Sequence, residues 1–436
     1  MRIFKNNRLE LLLVIATFIS LFIIKLFPFY LTGQESKLLS SHTFAKVIIS
    51  IVALICILIS LFATTVRKKK IKNNTVFRTI ATCYLLIITF SVIVAVDIPS
   101  YLRQLQNVIV NCLYFYVAYT LISQKKYDKL FFHYLITIGI LCIVIDLVFL
   151  VFKDTFIEVI KDSTQIEIIA LLYHNAAMGR YNSYLVLDAF IPVFFLVYST
   201  SIKDKKNLFI LIITVGITIF ISYITLFRTR FIQSIFAFFF SLVIGFHNKI
   251  KDFLILLIFI SILFFYMFLI MKFTLSPSTN VIDRLFLSQQ EDVETVNYRF
   301  ESLDRAIEMV SSSPLLGIGL GNYKAYVNKT LNRGITDRNN RIHLNETLDN
   351  PHSIFIEVLS ETGILGFCIF IGLLIYFCLE DFIYIRHSWN TPTSYYIIFA
   401  WTIFLYGIFN PFNTVYLSGW FWFMRGYIQN KYNFKK

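Results

Sequence analysis

The sequence lacks a cysteine framework, an internal repeat and a nucleotide-binding loop. Its six cysteines all lie in apolar stretches, which fits buried thiols better than disulfides or a zinc site. No segment repeats, so a transporter built from duplicated halves gains no support. The three glycines of PLLGIGLGNY (residues 314–323) are not followed by the Gly-Lys-Ser/Thr of a Walker A loop. They predict tight backbone turns or a close approach, rather than a phosphate cradle.

Apolar residues are abundant instead, since 57% of the chain is hydrophobic and 17% is aromatic. A bilayer core of roughly 30 Å is crossed by about 20 apolar helical residues. We find twelve stretches at or near that length, and therefore predict an all-α integral membrane protein. The stretches cover residues 9–31, 44–66, 76–98, 104–123, 131–152, 183–202, 207–227, 231–247, 253–272, 355–379, 393–410 and 414–428.

These stretches divide the chain into three parts. Residues 1–272 hold the first nine helices, residues 273–351 form one large loop, and residues 352–436 hold the last three helices. The first stretch follows a basic N-terminus, as a signal peptide would, but no small-residue cleavage pattern comes after it. We interpret it as an uncleaved membrane anchor.

Basic residues are concentrated in alternate loops. The chain has 40 Lys and Arg residues against 26 Asp and Glu residues, a net charge of +14. The inner set includes RKKKIK at residues 67–72 and a C-terminal group that starts at Arg425. This alternation follows the positive-inside rule, so both termini are predicted to be cytoplasmic and the large loop to lie outside. It also explains the positive charge without a nucleic-acid partner.

Within the large loop, NYRFESLDRAIEMVSSSP predicts an amphipathic helix. Apolar residues recur there at helical spacing, at Phe300, Leu303, Ile307 and Val310. We expect the helix to begin at Arg299 and to end at Pro314. We also expect it to lie against the membrane domain.

The tenth stretch begins with NPHSIFIEVLSETGILG (residues 350–366). Asn350 is predicted to cap the helix and Pro351 to take its first position, which puts His352 in the first turn. At about 100° per residue, the helix face that carries His352 also carries Ile356, Leu359, Gly363 and Gly366. The side chains along this face therefore become smaller toward the two glycines. Such a stripe of small side chains lets a helix or a lipid chain approach closely, and the free amides of the first turn favour an anion.

The alternative interpretation of His352 is an interfacial side chain hydrogen-bonded to the loop. Glu357 and Glu361 would then be solvated or paired with basic residues.

Four arginines are predicted at the outer face: Arg180, Arg228, Arg230 and Arg299. Arg228 and Arg230 lie between two apolar stretches with almost no loop, where positive charge opposes the inside bias. Arginine near hydrocarbon needs an anionic partner or water, and its planar fork suits phosphate oxygens. The alternative is snorkelling to lipid headgroups.

Three of these segments carry a resemblance to a known family. HSIFIEVLSETGILG is similar to the histidine-headed motif of the O-antigen ligase and polysaccharide polymerase superfamily, with the fixed positions filled by His352, Ser353, Gly363 and Gly366. YRFESLDRAIEMVSSSPLLGIGLGNY resembles the family's preceding segment, in which an arginine, here Arg299, opens an amphipathic helix. LFRTRF resembles the family's Thr/Ser-Arg turn, with Arg230 at the matching position and Arg228 added.

The resemblance implies an integral-membrane glycosyltransferase of the C type that needs no metal and no nucleotide cofactor. Its donor would be a glycan on undecaprenyl diphosphate at the outer face of the bacterial cytoplasmic membrane. Its acceptor would be a hydroxyl of a glycan or a lipid-linked glycan. His352 would be the catalytic base, the four arginines would hold the diphosphate, and Glu361 would orient the histidine. Membrane lipids and a chain-length regulator are the further expected partners.

Two alternatives stay open. The motif is common to polymerases, which extend a chain by repeat units, and to ligases, which transfer a finished chain to lipid A core. We favour a polymerase because no segment has the character of a lipid A contact. A transporter or flippase for lipid-linked glycans would instead need polar groups at mid-bilayer. Asp146 and Asp188 are the acidic candidates in apolar stretches, but either could hydrogen-bond to a neighbouring helix.

Overall fold

The computed structural model describes residues 7–26, 75–151, 187–200, 205–224, 228–246, 290–331, 351, 353–410, 412 and 415–433. All regular secondary structure in these ranges is helical. In chain order the α-helices are α1 (Asn7–Leu26), α2 (Thr75–Phe90), α3 (Ile98–Val117), α4 (Asp128–Val151), α5 (Ile191–Thr200), α6 (Lys205–Ile224), α7 (Arg228–Phe246), α8 (Gln290–Ser312), α9 (Tyr323–Leu331), α10 (Ile354–His387), α11 (Pro392–Phe409) and α12 (Val415–Asn433).

Six helical segments of the described residues are long and apolar enough to cross a membrane. They are Val76–Val94, Ile98–Ile122, Lys125–Val148, Arg228–Gly245, Ile354–His387 and Pro392–Phe409. Three shorter apolar helices accompany them, namely Glu10–Leu21, Leu187–Ser199 and Leu208–Tyr223. The protein is therefore an all-helical integral membrane protein, as predicted.

The predicted stretches can be compared with these helices one by one. Ten of the twelve overlap a described helix, while residues 44–66 and 253–272 lie outside the described residues. The count of twelve spans and the three-part division of the chain therefore stay predictions. The last stretch corresponds to α12, which continues through Arg425. Our assignment of Arg425 to a basic loop is wrong, because this arginine is fully buried inside the helix.

Aromatic side chains fill the centre of the bundle. α12 packs against α3 and α11, and α11 packs against α7. Phe131 of α4 lies between Tyr427 of α12 and Tyr396 of α11, with ring centroids 4.5 and 5.5 Å apart. Such pairs contribute about 0.5–1.5 kcal/mol beyond the area that they bury. Gly426 lets α12 approach α3 so closely that a Cβ atom there would overlap the carbonyl of Phe115.

The loop helix α8 is present and packs against the membrane helix α10, as expected, but the expected start at Arg299 is wrong. It begins at Gln290, so Arg299 lies inside the helix and not at its start. α8 packs against α10, and its buried residues are Ser302, Ala306 and Met309. The predicted apolar stripe is largely exposed instead, because the helix turns a smaller and more polar face toward the protein.

The start of α10 also differs from the prediction. Ser353 is extended, with φ −161° and ψ 137°, and its Oγ atom accepts a hydrogen bond from the Phe355 amide at 3.3 Å. Serine is a favoured cap because this bond satisfies one of the free amides of the first turn. The helix therefore starts at Ile354, and the prediction of a cap at Asn350 with Pro351 in the first position is wrong.

Candidate functional site

The backbone hydrogen bonding of α10 is interrupted at Gly363, and backbone groups of another segment replace the missing bonds. In an unbroken helix, the carbonyls of Ser360 and Glu361 would accept from amides four residues further on. They accept instead from the amide of Ile318 at 3.0 Å and from that of Gly319 at 3.1 Å. These donors belong to residues 314–322, which we call the glycine loop.

The amides that follow the interruption bond to the same loop. The Ile364 amide donates to the Pro314 carbonyl at 2.9 Å, and the Leu365 amide donates to the Leu315 carbonyl at 3.4 Å. The four backbone groups whose helical bonds are broken thus all find partners, as buried backbone groups require. The glycine loop and α10 form a single hydrogen-bonded unit.

Glycine is needed on both sides of this junction. Gly363 has φ 66° and Gly317 has φ 67°, a left-handed conformation that other residues rarely adopt. A Cβ atom on Gly363 would lie 2.5 Å from the carbonyl carbon of Leu315 and 2.6 Å from the Gly317 nitrogen. The expectation of tight turns and a close approach in this segment is confirmed.

The small residues of α10 do not form an open stripe. The interruption at Gly363 ends the regular progression of about 100° per residue, and the glycine loop fills the space beside it. A Cβ atom on Gly366 would overlap the Oγ1 atom of Thr362, whose hydroxyl donates to the Val358 carbonyl at 2.7 Å. Our prediction that another helix or a lipid chain approaches this face is wrong at Gly363, where the glycine loop occupies the space, but at Gly366 the Ile87 side chain of α2 lies 3.4 Å from the Cβ position.

The glycine loop also contacts the turn between α2 and α3. The Asp97 amide donates to Oδ1 of Asn322 at 2.5 Å, and the Leu320 amide donates to Oγ of Ser91 at 3.4 Å. The Asp97 side chain caps α3 by accepting from the Ser100 amide at 2.9 Å, and hydrogen bonding from Ser100 lowers the pKa of Asp97. The loop is thus held between α10 and a turn that is itself capped.

Glu361 holds the point where the glycine loop passes into α9. Its Oε2 atom accepts from the Gly321 amide at 2.7 Å, and its Oε1 atom accepts from the Tyr323 amide at 3.4 Å. A carboxylate is favourable at a helix N-terminus because the free amides carry partial positive charge. Glu357 is also buried, so it is not solvated, and the alternative that it pairs with a basic residue stays a prediction. The expected orienting effect of Glu361 on His352 stays a prediction, because His352 lies outside the described residues.

Arg299 belongs to the helix that the glycine loop attaches to α10. The loop folds back on the end of α8 through a bond from the Gly317 amide to the Ser313 carbonyl at 2.9 Å. The Tyr323 hydroxyl donates to the Ser302 carbonyl at 3.2 Å. Arg299 is half-buried, and its Nε atom has no hydrogen-bond partner among the described residues. Burial lowers the pKa of the Arg299 guanidinium, because the cation has lost part of its hydration.

Arg230 lies in the first turn of α7 and is buried between carboxylates. Its Nε atom donates to Oδ2 of Asp188 at 3.0 Å, and its Nη2 atom lies 3.5 Å from Oδ2 of Asp146. The other oxygen of Asp188 accepts from the hydroxyls of Ser222 and Ser234. Arg230 therefore does not snorkel to lipid headgroups. The interpretation that Asp188 hydrogen-bonds to neighbouring helices is confirmed.

A second buried ion pair joins α10 to α12 and was not predicted. Arg425 donates to both oxygens of Asp381, at 2.8 and 2.7 Å. The same carboxylate accepts from Nε1 of Trp401 at 2.5 Å and from the Tyr432 hydroxyl. Opposite charges in two apolar helices were the available signal, since such charges normally pair within a membrane protein.

The predicted site residues fall into two described groups. Segments joined by the glycine loop carry Arg299, Ser353, Glu361, Gly363 and Gly366. Arg228 and Arg230 open α7, where Arg230 pairs with aspartates. His352 and Arg180 lie outside the described residues, so the convergence of the histidine with the arginines stays a prediction. In the described part of the chain, no group of His, Cys, Asp or Glu residues could hold a metal ion.

Comparison with known families places these features together. The family model described as O-antigen ligase matches residues 212–371, a range that starts in α6 and ends in α10. It includes Arg228, Arg230, Arg299, the glycine loop and the interruption at Gly363. No curated protein matches the chain. Over residues 212–371, this membrane protein is therefore similar to the O-antigen ligase family.

Proposed function

We propose that the protein is a glycosyltransferase that polymerises polysaccharide repeat units carried on undecaprenyl diphosphate, at the outer face of the bacterial cytoplasmic membrane. The observation that carries this proposal is the glycine loop inserted into α10. The loop joins the helix of Arg299 to the helix capped by Ser353, the residue that follows His352 in sequence. Two segments that resemble family motifs are thus parts of one hydrogen-bonded unit.

The proposed reaction needs a base and a cationic pocket. The donor already stores its activation in the bond between sugar and diphosphate. The oxygen of the acceptor hydroxyl forms a bond to the anomeric carbon while the bond to the diphosphate breaks, and the electron pair of that bond leaves with the diphosphate. The hydroxyl proton passes to His352, in a general-base step that supplies roughly 10²- to 10⁴-fold in rate. Direct displacement inverts the anomeric centre.

Arg299 is the described arginine best suited to hold the leaving diphosphate. Its charge is partly desolvated, and its Nε atom has no partner among the described residues. A bond from this guanidinium would strengthen as negative charge develops on the diphosphate, and losing such a contact costs on the order of 10²-fold in rate. Arg228 and Arg180 would supply further contacts.

Arg230 would act differently, because Asp188 already engages its guanidinium. To bind a diphosphate, this arginine has to exchange a carboxylate for a phosphate. The guanidinium fork suits phosphate as well as carboxylate oxygens, and the Asp188 carboxylate would keep its hydrogen bonds from the Ser222 and Ser234 hydroxyls.

Ligation of a finished chain to lipid A core is the second candidate function. It is favoured by the description of the matching family, which names an O-antigen ligase. A ligase would use the same base and the same diphosphate pocket and would differ in the acceptor. A flippase is the candidate of another class, but Asp146 and Asp188 both face Arg230 and do not lie apart along a pathway.

The base role is tested with the full-length protein in nanodiscs, supplied with lipid-linked repeat units. We expect His352→Ala to reduce the formation of longer glycans by about 10²- to 10⁴-fold. His387→Ala, at the opposite end of α10, is the matched control and should leave activity near wild type. An active His352→Ala protein would contradict the proposal.

Gene deletion followed by gel analysis of surface glycan separates the candidate functions. Loss of a polymerase leaves a single repeat unit at the surface. Loss of a ligase leaves long chains on the lipid carrier. Loss of a flippase leaves single lipid-linked repeats at the cytoplasmic side, and this outcome would rule out both transferase candidates.

A further inference from the structure

The helix α8 has three faces with different surroundings. One face packs on the protein through Ser302, Ala306 and Met309. A second face is apolar yet exposed, with 62% of Phe300, 38% of Leu303 and 54% of Ile307 accessible. A third face is exposed and acidic, and consists of Glu301, Asp304 and Glu308.

The apolar face is separate from the other two. At about 100° per residue, its centre lies roughly 100° from the centre of the acidic face and somewhat more than that from the buried face. An amphipathic helix ordinarily turns its apolar side toward the protein core. From Arg299 onward, α8 instead turns Ser302, Ala306 and Met309 inward and leaves Phe300, Leu303 and Ile307 exposed.

The glycine loop extends this apolar face onto α10. Leu315 follows α8 and is 60% exposed. Its carbonyl accepts from the Leu365 amide at 3.4 Å, and the preceding carbonyl, of Pro314, accepts from the Ile364 amide at 2.9 Å. Ile364 and Leu365 are themselves exposed on a helix that is long and apolar enough to span the membrane. Through Leu315, the exposed apolar surface at the end of α8 therefore adjoins exposed apolar residues of a helix that is long and apolar enough to span the membrane.

We propose that α8 is an interfacial helix whose exposed apolar face lies among the acyl chains of the bilayer. Exposed apolar residues that form a continuous surface mark an interaction site, and here the surface adjoins Ile364 and Leu365, which are exposed on a helix long and apolar enough to span the membrane. The acidic face then points to water. Because that face would be repelled by anionic headgroups, the contact is hydrophobic and not electrostatic, unlike that of basic interfacial helices.

The proposed position of α8 also affects how a substrate reaches Arg299, a consequence that rests on the proposed function. On the helical wheel, Arg299 lies between the buried and the apolar faces of α8. A diphosphate carried on a lipid would therefore meet this arginine where protein and bilayer join. The bilayer contact itself does not depend on the chemistry of the donor.

The contact is tested with single cysteines labelled by an environment-sensitive fluorophore, in full-length protein whose six native cysteines are replaced. Leu303→Cys and Ile307→Cys probe the apolar face, and Asp304→Cys and Glu308→Cys are matched controls on the acidic face. In nanodiscs of neutral lipid, we expect blue-shifted emission and strong quenching by spin-labelled acyl chains at 303 and 307. We expect water-like emission without quenching at 304 and 308, and the same pattern in anionic lipid.

Three outcomes would overturn the proposal. Equal, water-like emission at all four positions would show that no apolar phase covers the helix. Blue-shifted emission without quenching by lipid would show that a second copy or another protein covers it. Loss of quenching in anionic lipid would show that headgroup charge controls the contact. Because all four positions are exposed, the labelled proteins should keep the wild-type unfolding temperature. A label at Met309→Cys, on the buried face, gives the reference signal for a position inside the protein.

Discussion

The two ends of α10 are held in place by different kinds of contact. Near its N-terminal end, the helix is interrupted at Gly363, and backbone hydrogen bonds from the glycine loop complete it. Near its C-terminal end the helix is continuous, and the carboxylate of Asp381 is held by three side chains, those of Arg425, Trp401 and Tyr432. The first junction depends on backbone shape and the second depends on charge.

Because the two junctions are built differently, we expect different substitutions to disrupt them. A junction of backbone groups tolerates most side-chain changes but fails when a Cβ atom enters the space that glycine leaves. An ion pair in an apolar bundle tolerates shape changes but fails when one charge is left alone. The glycine loop carries the segments that resemble the family, so its failure should reduce activity more than stability. The reverse should hold for Asp381 and Arg425.

The largest effect is expected from Arg425→Ala. Removing one partner of a buried ion pair leaves the other charge uncompensated, which costs about 3–5 kcal/mol. We expect a large fall in the unfolding temperature measured in detergent. Arg386→Ala, at an exposed arginine of α10, the helix that carries Asp381, is the control and should unfold like wild type. The double variant Asp381→Leu/Arg425→Met, which removes both charges, should recover much of the loss. If Arg425→Ala unfolds at the wild-type temperature, the ion pair between Asp381 and Arg425 does not stabilise the C-terminal end of α10.

The second prediction concerns the backbone junction. Gly363→Ala places a Cβ atom 2.5 Å from the Leu315 carbonyl carbon, and such overpacking costs typically about 1–3 kcal/mol. Because the glycine loop must move away, we expect transferase activity to fall by more than the loss of folded protein explains. Gly372→Ala is the matched control, since no atom lies within 4 Å of its Cβ position, and it should be neutral or slightly stabilising. Equal behaviour of the two variants would contradict the described junction.

A smaller effect is expected from Glu361→Gln. The amide side chain keeps an acceptor for the Gly321 or the Tyr323 amide but loses the charge that strengthens both bonds. Hydrogen bonds to charged groups exceed neutral ones by roughly 1 kcal/mol, so we expect a modest loss of stability. Hydrogen exchange should show weaker protection of residues 318–323 and little change around Arg425. Glu361→Ala should show a larger change in the same region, and unchanged protection there would separate Glu361 from the glycine loop.

The smallest effect is expected from weakening the contact between Asp188 and Arg230. Asp188 competes with a diphosphate for this guanidinium if the proposed function holds, and asparagine at this position competes less because it is neutral. Asp188→Asn leaves Arg230 beside a second carboxylate, that of Asp146 at 3.5 Å, so we expect the KM for the lipid-linked donor to fall severalfold, equivalent to about 1 kcal/mol or less, with kcat nearly unchanged. Asp128→Asn, which weakens a pair with Lys431, should leave KM alone. An unchanged KM for Asp188→Asn would mean that Arg230 has a structural role like that of Arg425.

The sequence alone predicted an integral membrane protein and most of its helices, because long apolar runs are rarely found outside membrane-spanning helices. It was also sufficient for the existence of α8, whose apolar residues recur at helical spacing. It was insufficient for the packing face of that helix. Lipid and protein interior are both apolar environments, so Phe300 and Leu303 indicate a face without indicating which of the two covers it.

The site was predicted less completely than the fold. The glycines at 317, 319 and 321 indicated a close approach, but their partner was hidden because the bonds link residues about 40 positions apart, as between Gly321 and Glu361. The charges were visible, but their pairing was not. Asp188 lies in one apolar stretch and Arg230 lies between two others, and only the tertiary structure brings them within 3.0 Å.

The interruption of α10 has a consequence for biosynthesis. The glycine loop is translated before Gly363, so the donors for the Ser360 and Glu361 carbonyls already exist when the broken helix leaves the ribosome. Without them, the interruption would leave two carbonyls and two amides without the partners that buried backbone groups require. We therefore expect the interruption at Gly363 to form only once the preceding loop lies against α10.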